Sequence, residues 1–200
     1  MKNPLDQAIQ RWITPVLVDA GFTRKGRKFS IEAPDGSTGE IEVVRSLQGR
    51  HEAEFQVDFF VSPRVWAEYQ LCANGIQGAH LWFERLRGVG DGTPWDSQWS
   101  FDVADERAGA RLREAIEQKL LEQLPLLDQA NLLNYSRKPR SEARGVTARR
   151  EVVVPALLAA QGPSIELDEM LAGLGNDPER READEKFVAF IREWLAENYR

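Results

Sequence analysis

The chain has one cysteine, two histidines and no long apolar run, and each shortage excludes a class of protein. Cys72 has no second cysteine to pair with, which predicts a reducing compartment; we expect its thiol to be buried and unreactive. Two histidines without an H-x-H, H-E-x-x-H or C-x-x-C pattern cannot form a conventional zinc site, so no metal and no other cofactor is expected. The longest apolar stretch, Val152 to Ala160, is broken by Pro155, whereas a membrane helix needs about 20 residues.

Targeting and catalytic motifs are also missing. The first residues, MKNPLDQAIQRW, carry charges and a proline where a signal peptide needs an apolar run, which predicts a cytoplasmic protein. Neither a G-x-S-x-G elbow nor a phosphate-binding loop is present. A carboxylate pair on one sheet face, Asp58 with Glu42 or Glu54, is the alternative that keeps an enzyme open. Acidic residues alternating along a solvated sheet face are the commoner arrangement.

Positive charge is concentrated in two places of a chain whose formal net charge is -6. Thr23 to Lys28 contains four basic residues and no acidic one, and Ser136 to Glu151 contains six basic and two acidic residues. The 107 residues between them have a net charge of -9. Nucleic-acid binding is therefore disfavoured, because such proteins present a broad basic face; an acidic partner protein fits two local cationic patches better.

Hydrophobic periodicity predicts an α+β fold. A helical stripe runs from Pro4 to Ala20, and Pro15 would either kink this helix or restart it with Thr14 as the cap. Strands follow, with a hairpin turn at Asp35-Gly36 and a second hairpin joining residues 80–87 to 95–101. Later helices are expected at 105–124 and after Asp177. We expect an antiparallel sheet of about five strands, packed by the N-terminal helix and a later helix, with a C-terminal helical extension.

Composition divides the chain into an α+β core domain at 1–135, a basic linker at 136–151 and the helical extension at 152–200. The linker sequence, SRKPRSEARGVTARRE, has many charges and no apolar period. Three interpretations are open for it: a mobile tether, which we favour, a docking arm for an acidic surface, and a self-association segment.

The first basic stretch, GFTRKGRKF, combines two glycines, two phenylalanines and four cations. Glycine adopts positive φ without steric cost, so Gly21 and Gly26 predict turns, and we expect Phe22 and Phe29 to anchor the segment in the core. Its cations are either solvated and paired with the acidic body or form a site for phosphate, RNA or an acidic partner surface. The candidate partner- or phosphate-binding residues are Arg24, Lys25, Arg27 and Lys28.

Aromatic residues offer a second set of candidates. Four of the six tryptophans, Trp66, Trp82, Trp95 and Trp99, fall around the expected second hairpin. Most tryptophans pack in the core, yet tryptophan is also a favoured interface anchor. Trp95 and Trp99 would share one strand face, so they are added to the candidate partner-binding residues, with burial in the core as the alternative.

With these motifs in order, residues 1–135 resemble the bacterial domain of unknown function 4304 family. The resemblance is carried by a helix ending at Gly21-Phe22, the basic turn Arg24 to Arg27, Phe29, the strand at Phe55, the Trp95 and Trp99 segment, and Leu124-Pro125. The second strand of the family pattern has a Gln followed by a basic residue and Ser, where this chain has VVRSL. Its third strand has an Asn, where this chain has Asp58. No role of the Gln or Asn side chain therefore carries over to this chain. Such proteins resemble accessory factors of bacterial conflict or toxin loci.

Together these features predict a non-catalytic protein-interaction module of the bacterial cytosol, such as an immunity or accessory factor. The alternatives are a phosphate- or RNA-binding protein that uses the basic turn, and an enzyme whose carboxylate site the sequence hides.

Overall fold

The computed structural model describes residues 3–45, 54–88, 98–100 and 102–199. The described residues form two compact units that interleave along the chain. The first unit contains the described parts of Met1–Glu32, Thr38–Phe60 and Phe83–Leu124; the second contains Ala33–Ser37, Val61–Trp82 and Pro125–Arg200. The three-part division at 135 and 151 stays a prediction.

The chain begins with a helical run that changes type before Pro15. Helix α1 (Pro4–Ala8) leads into a π-helical segment (Ile9–Ile13) and then α2 (Thr14–Asp19). Pro15 lacks an amide hydrogen, and its ring would clash with a carbonyl of the preceding turn, so that turn widens. Thr14 donates both its backbone N–H and its Oγ1 to the carbonyl of Ile9, so the expectation that Thr14 caps a new helix is wrong.

An antiparallel sheet of five strands follows, in the spatial order β1-β2-β3-β4-β5. The strands are β1 (Thr23–Lys25), β2 (Lys28–Glu32), β3 (Thr38–Arg45), β4 (Phe55–Ser62) and β5 (Trp82–Arg85). Gly36 has φ +83°, as the Asp35-Gly36 turn requires. The second hairpin expected from the sequence runs through residues 89–97, outside the described residues; Trp99 forms an antiparallel bridge with Phe55 of β4.

Helix α4 (Glu106–Gln123) completes the first unit. Asp105 caps it by accepting hydrogen bonds from the N–H groups of Arg107 and Ala108. The helix packs against the π-helical segment, and at its end Gln123 donates Nε2–H to the carbonyl of Phe60 in β4, at 3.0 Å. The expected α+β arrangement, a sheet packed by the N-terminal helix and a later helix, is therefore confirmed.

The second unit is mostly helical. Its helices are α3 (Arg64–Asn74), α5 (Gln129–Arg137), α6 (Arg150–Ala159), α7 (Ile165–Ala172) and α8 (Arg181–Asn198), with a 3₁₀ turn (Leu124–Leu127) leading into the unit. Helix α6 is buried from Val152 to Ala159, and α3, α5, α7 and α8 all pack against it. An apolar helix of this kind is stable only when neighbours cover every side. Within the described residues, no helix combines the length and apolarity needed to cross a membrane.

The start of α8 differs from the expectation. Asp177 does not cap this helix, because its Oδ1 accepts the N–H of Glu179 and closes a separate turn, while α8 begins at Arg181. An Asp side chain that bonds two residues ahead favours a turn as readily as a helix start. The helix therefore begins three residues later than the sequence predicts, with Arg180 rather than Asp177 at the cap position.

Candidate functional site

The basic turn between β1 and β2 has the geometry that its sequence predicts. Gly21 and Gly26 have φ values of +92° and +66°, where a Cβ would be strained. Phe22 and Phe29 are 3% and 0% exposed, so both rings anchor the segment in the core, as expected. The two rings thus anchor the turn to the core of the first unit.

Arg24 is held entirely by neutral acceptors. Its Nη1 donates to Oε1 of Gln10 at 2.7 Å and to Oγ1 of Thr14 at 2.9 Å, and its Nε donates to the carbonyl of Gly26 at 2.8 Å. The guanidinium also lies 5.6 Å from the ring centre of Phe29, its cross-strand neighbour. No carboxylate among the described residues pairs with Arg24, so its position is fixed while its charge stays uncompensated.

The other three cations of the turn differ in their pairing. Arg27 donates Nε–H to Oδ1 of Asp6 at 3.0 Å, and Lys28 Nζ lies 3.5 Å from Oε2 of Glu42, its cross-strand partner on β3. Lys25 is exposed and has no partner among the described residues. The turn therefore combines two partly neutralised cations with two whose charge is open, Arg24 and Lys25.

One of the two tryptophan candidates is buried in the core. Trp99 is 4% exposed, and its backbone N–H and C=O both bond to Phe55, at 2.8 and 3.0 Å. It therefore has the core role that the sequence left as an alternative, and we do not carry it into a binding surface. Trp95 lies outside the described residues.

Asp58 is buried rather than placed on a solvated sheet face with another acidic residue. It is 5% exposed, and Arg85 of β5 binds both of its oxygens, Nε to Oδ1 at 2.6 Å and Nη2 to Oδ2 at 2.9 Å. The hydrogen bond to Asp58 raises the pKa of Arg85, against the opposing effect of burial. Glu42 contacts Lys28 instead, so the carboxylate pair weighed for catalysis does not form between Asp58 and Glu42.

Two further reactive groups, the thiol of Cys72 and the hydroxyl of Ser62, lie outside the candidate residues. Cys72 is exposed in the last turn of α3, which lies beyond the buried residues Val65 and Trp66, so the expectation of a buried thiol is wrong. Ser62, which the sequence does not single out, has its Oγ 2.8 Å from Nδ1 of His80. At 4% exposed, this hydroxyl needs a polar partner, and His80 supplies one. Among the described residues, no group of three or more His, Cys, Asp or Glu could hold a metal ion.

The second basic stretch is attached to the second unit at several points. Val146 forms an antiparallel bridge with Trp82, and the indole Nε1–H of Trp82 donates to the carbonyl of Arg144 at 3.0 Å. The hydroxyl of Tyr135 donates to the same carbonyl at 2.8 Å, and Thr147 Oγ1 donates to the carbonyl of Leu81 at 3.0 Å. These bonds join residues 144, 146 and 147 to Leu81, Trp82 and Tyr135 within the second unit.

Comparison of the chain with protein-family models, with curated proteins and with solved structures finds no match in any of the three. The resemblance to the domain of unknown function 4304 family therefore stays a prediction.

Proposed function

We propose that this chain is a non-catalytic binding protein that recognises an acidic partner protein through the basic turn between β1 and β2. The observation that supports this most directly is the state of Arg24 and Lys25. Arg24 is fixed by Gln10 and Thr14 without losing its charge, and Lys25 is exposed. A preorganised, uncompensated cation loses little entropy and little pairing energy when an anionic surface docks on it.

The charge of the whole chain supports a protein rather than a nucleic acid as the partner. A net charge of -6 repels a polyanion at long range, while a folded acidic partner can dock so that its anionic patch meets only the local cations. Binding RNA or phosphate through the same turn is the alternative. An enzyme is less favoured because the two buried carboxylates among the described residues, Asp58 and Asp184, are each bound by an arginine.

The cellular setting follows the same argument. The exposed thiol of Cys72 has no disulfide partner, which suits a reducing compartment such as the bacterial cytosol. There the chain would work as an immunity or accessory factor, masking the partner surface that it covers. A toxin gene beside the gene for this chain would support this role.

Retention on immobilised poly-L-glutamate, compared with retention on heparin, tests the proposal. We expect salt-sensitive retention on poly-L-glutamate that Lys25→Glu weakens by up to about fivefold, because exposed charge contacts contribute up to about 1 kcal/mol each. Arg111→Glu is the matched control, since Arg111 is exposed on α4 and changes the net charge equally. Equal weakening by both variants would contradict the proposal, and preferential retention on heparin would favour the RNA alternative. Pull-downs from bacterial lysate with the same two variants then identify the partner.

Protection of the sheet edge is the structural explanation that this experiment must separate. β1 is the first strand of the sheet, and charged side chains on an edge strand prevent pairing with a second copy. Lys25→Glu keeps a charge on the edge, so it should leave self-association unchanged while it weakens anion binding. If the Lys25→Ala protein dimerises in size-exclusion chromatography and its retention on poly-L-glutamate is unchanged, the role of Lys25 is edge protection alone.

A further inference from the structure

A cavity of about 410 Å³ lies in the second unit at the first turn of α6. Of the described residues that line it, five are cationic and come from two separate stretches of the chain, and one, Glu151, is acidic. The cationic residues are Lys138, Arg140, Arg149, Arg150 and Arg180. Like charges gathered around one cavity repel each other, so the arrangement favours an anion inside it.

Two of these cations are already paired, and the others are available. Arg149 donates to Oδ1 of the buried Asp184 at 2.6 Å, and Arg180 lies 3.5 Å from Asp177. Lys138 contacts the ring of Tyr135, with Nζ 5.4 Å from the ring centre. Arg140 and Arg150, both exposed, have no partner among the described residues. The cavity therefore has at least two guanidinium groups free to bind an anion.

The N-terminus of α6 adds backbone donors to the same cavity. This helix of ten residues has no side-chain cap at Arg149, although Ala148, Arg149 and Arg150 all line the cavity. The N–H groups of Arg150 and Glu151 have no acceptor among the described residues. Unpaired N–H groups and the positive end of the helix dipole make such a terminus suitable for binding phosphate.

Ser136 is an independent indication that a ligand belongs here. It lies in the last turn of α5, lines the cavity, and is 5% exposed, yet its Oγ has no hydrogen-bond partner. Buried hydroxyl groups are almost always hydrogen-bonded, and an exception in a native protein requires an explanation. An oxyanion in the cavity would supply the missing acceptor.

We propose that this cavity binds the phosphate group of a small molecule. The phosphate would accept hydrogen bonds from Ser136 Oγ and from the first N–H groups of α6. It would also form ion pairs with Arg140 and Arg150. A volume of about 410 Å³ falls within the range of about 300–1,000 Å³ that is typical of small-molecule sites, so an organic phosphate suits it better than the free ion. None of the lining residues belongs to the basic turn, so this proposal does not depend on the partner proposed for that turn.

Isothermal titration of the full chain at constant ionic strength tests the site, with inorganic phosphate and phenyl phosphate as the two probes. We expect saturable binding that Arg150→Gln weakens by about tenfold, as the loss of a charge-assisted hydrogen bond requires. Tighter binding of phenyl phosphate indicates a phosphorylated small molecule, and equal or weaker binding indicates free phosphate. The first result supports the proposal, and the second overturns the small-molecule ligand and leaves a site for inorganic phosphate alone.

Two variants keep the test decisive. Ser136→Ala removes a hydroxyl that has no partner, so it should preserve the melting temperature while it weakens phosphate binding. Arg111→Gln, at an exposed arginine that does not line the cavity, should bind like the wild type. Absence of saturable binding, equal weakening by Arg111→Gln and Arg150→Gln, or unchanged affinity in Ser136→Ala would overturn the proposal.

Discussion

Replacing Gly109 by alanine should destabilise the first unit, although the same change stabilises most helices. Gly109 is buried in α4 at the point where this helix meets the π-helical segment. A methyl group there would overlap the indole ring of Trp12, lying 2.6 Å from Cζ2 and closer still to Cδ2 and Cε2. Such short distances do not occur in folded proteins, so the ring or the helix must move.

Two opposing terms set the magnitude. Alanine gains about 1 kcal/mol over glycine in a helix interior, whereas overpacking a core costs about 1–3 kcal/mol and occasionally more. Trp12 is only 6% exposed, and expelling its ring would forfeit about 4–6 kcal/mol, which bounds the loss from above. A small outward displacement of α4 costs less than this bound. Because the overlap involves three ring atoms, we take the overpacking cost at the top of its range, about 3 kcal/mol; after the alanine gain, Gly109→Ala should lower the free energy of unfolding by about 2 kcal/mol.

Urea denaturation followed by tryptophan fluorescence and circular dichroism measures this loss. Ala110→Gly, at the exposed neighbouring position, gives the local helix-propensity scale and should cost about 1 kcal/mol. Gly173→Ala is the spatial control, because its methyl group would meet only ordinary neighbours, the closest at 3.5 Å from the carbonyl oxygen of Met170. A Gly109→Ala protein as stable as the wild type would refute the close packing of Trp12 on α4.

Three further predictions concern pH, charge and backbone. Burial, with a further contribution from Asp184, raises the pKa of Tyr69 above 10.0. The tyrosine of the unfolded chain therefore loses its proton first, and the stability of the folded protein should fall as the pH rises past 10.0. Tyr69→Phe should make this fall in the urea midpoint less steep. Asp58→Asn should cost about 1–3 kcal/mol in urea melts, less than a fully buried pair, because Arg85 is 37% exposed; an unchanged midpoint would contradict this. Gly26→Ala should lower thermal stability by about 1 kcal/mol through its positive φ alone, since its methyl group meets no neighbour.

Local patterns made the sheet and the basic turn predictable. Phe55, Val57 and Phe59 alternate with period two, and all three are buried in β4. Gly21 and Gly26 lie where the chain needs positive φ. Because the geometry of a turn depends on only a few adjacent residues, the sequence predicts these turns without any tertiary information. The apolar stripe of residues 4–20 also predicts a helix. It does not predict the π-helical segment, because that segment depends on how Pro15 displaces the preceding turn.

Contacts between residues far apart in the sequence determine the features that the sequence did not predict. Asp58 looked like a solvated residue because alternation says only which side of a strand a residue occupies. Its burial depends on Arg85, which lies 27 positions away and reaches it when β5 forms beside β4. The cap expected at Asp177 failed for a related reason, since one side chain can close a turn or begin a helix with the same atoms.

The two groups of cations show why charge density along the chain is an incomplete guide to binding sites. In the basic turn the cations are adjacent in sequence, and two of them are neutralised by Asp6 and Glu42. The cavity takes four of its five cations from the second basic stretch, which the sequence marks, but Arg180 and the unpartnered hydroxyl of Ser136 are not revealed by a local count of charges. If each site recognises its own anion, Lys25→Glu will leave phenyl phosphate affinity unchanged, and Arg150→Gln will leave poly-L-glutamate retention unchanged. One variant that moved both readouts would show instead that general charge attraction, rather than either geometry, holds the anions.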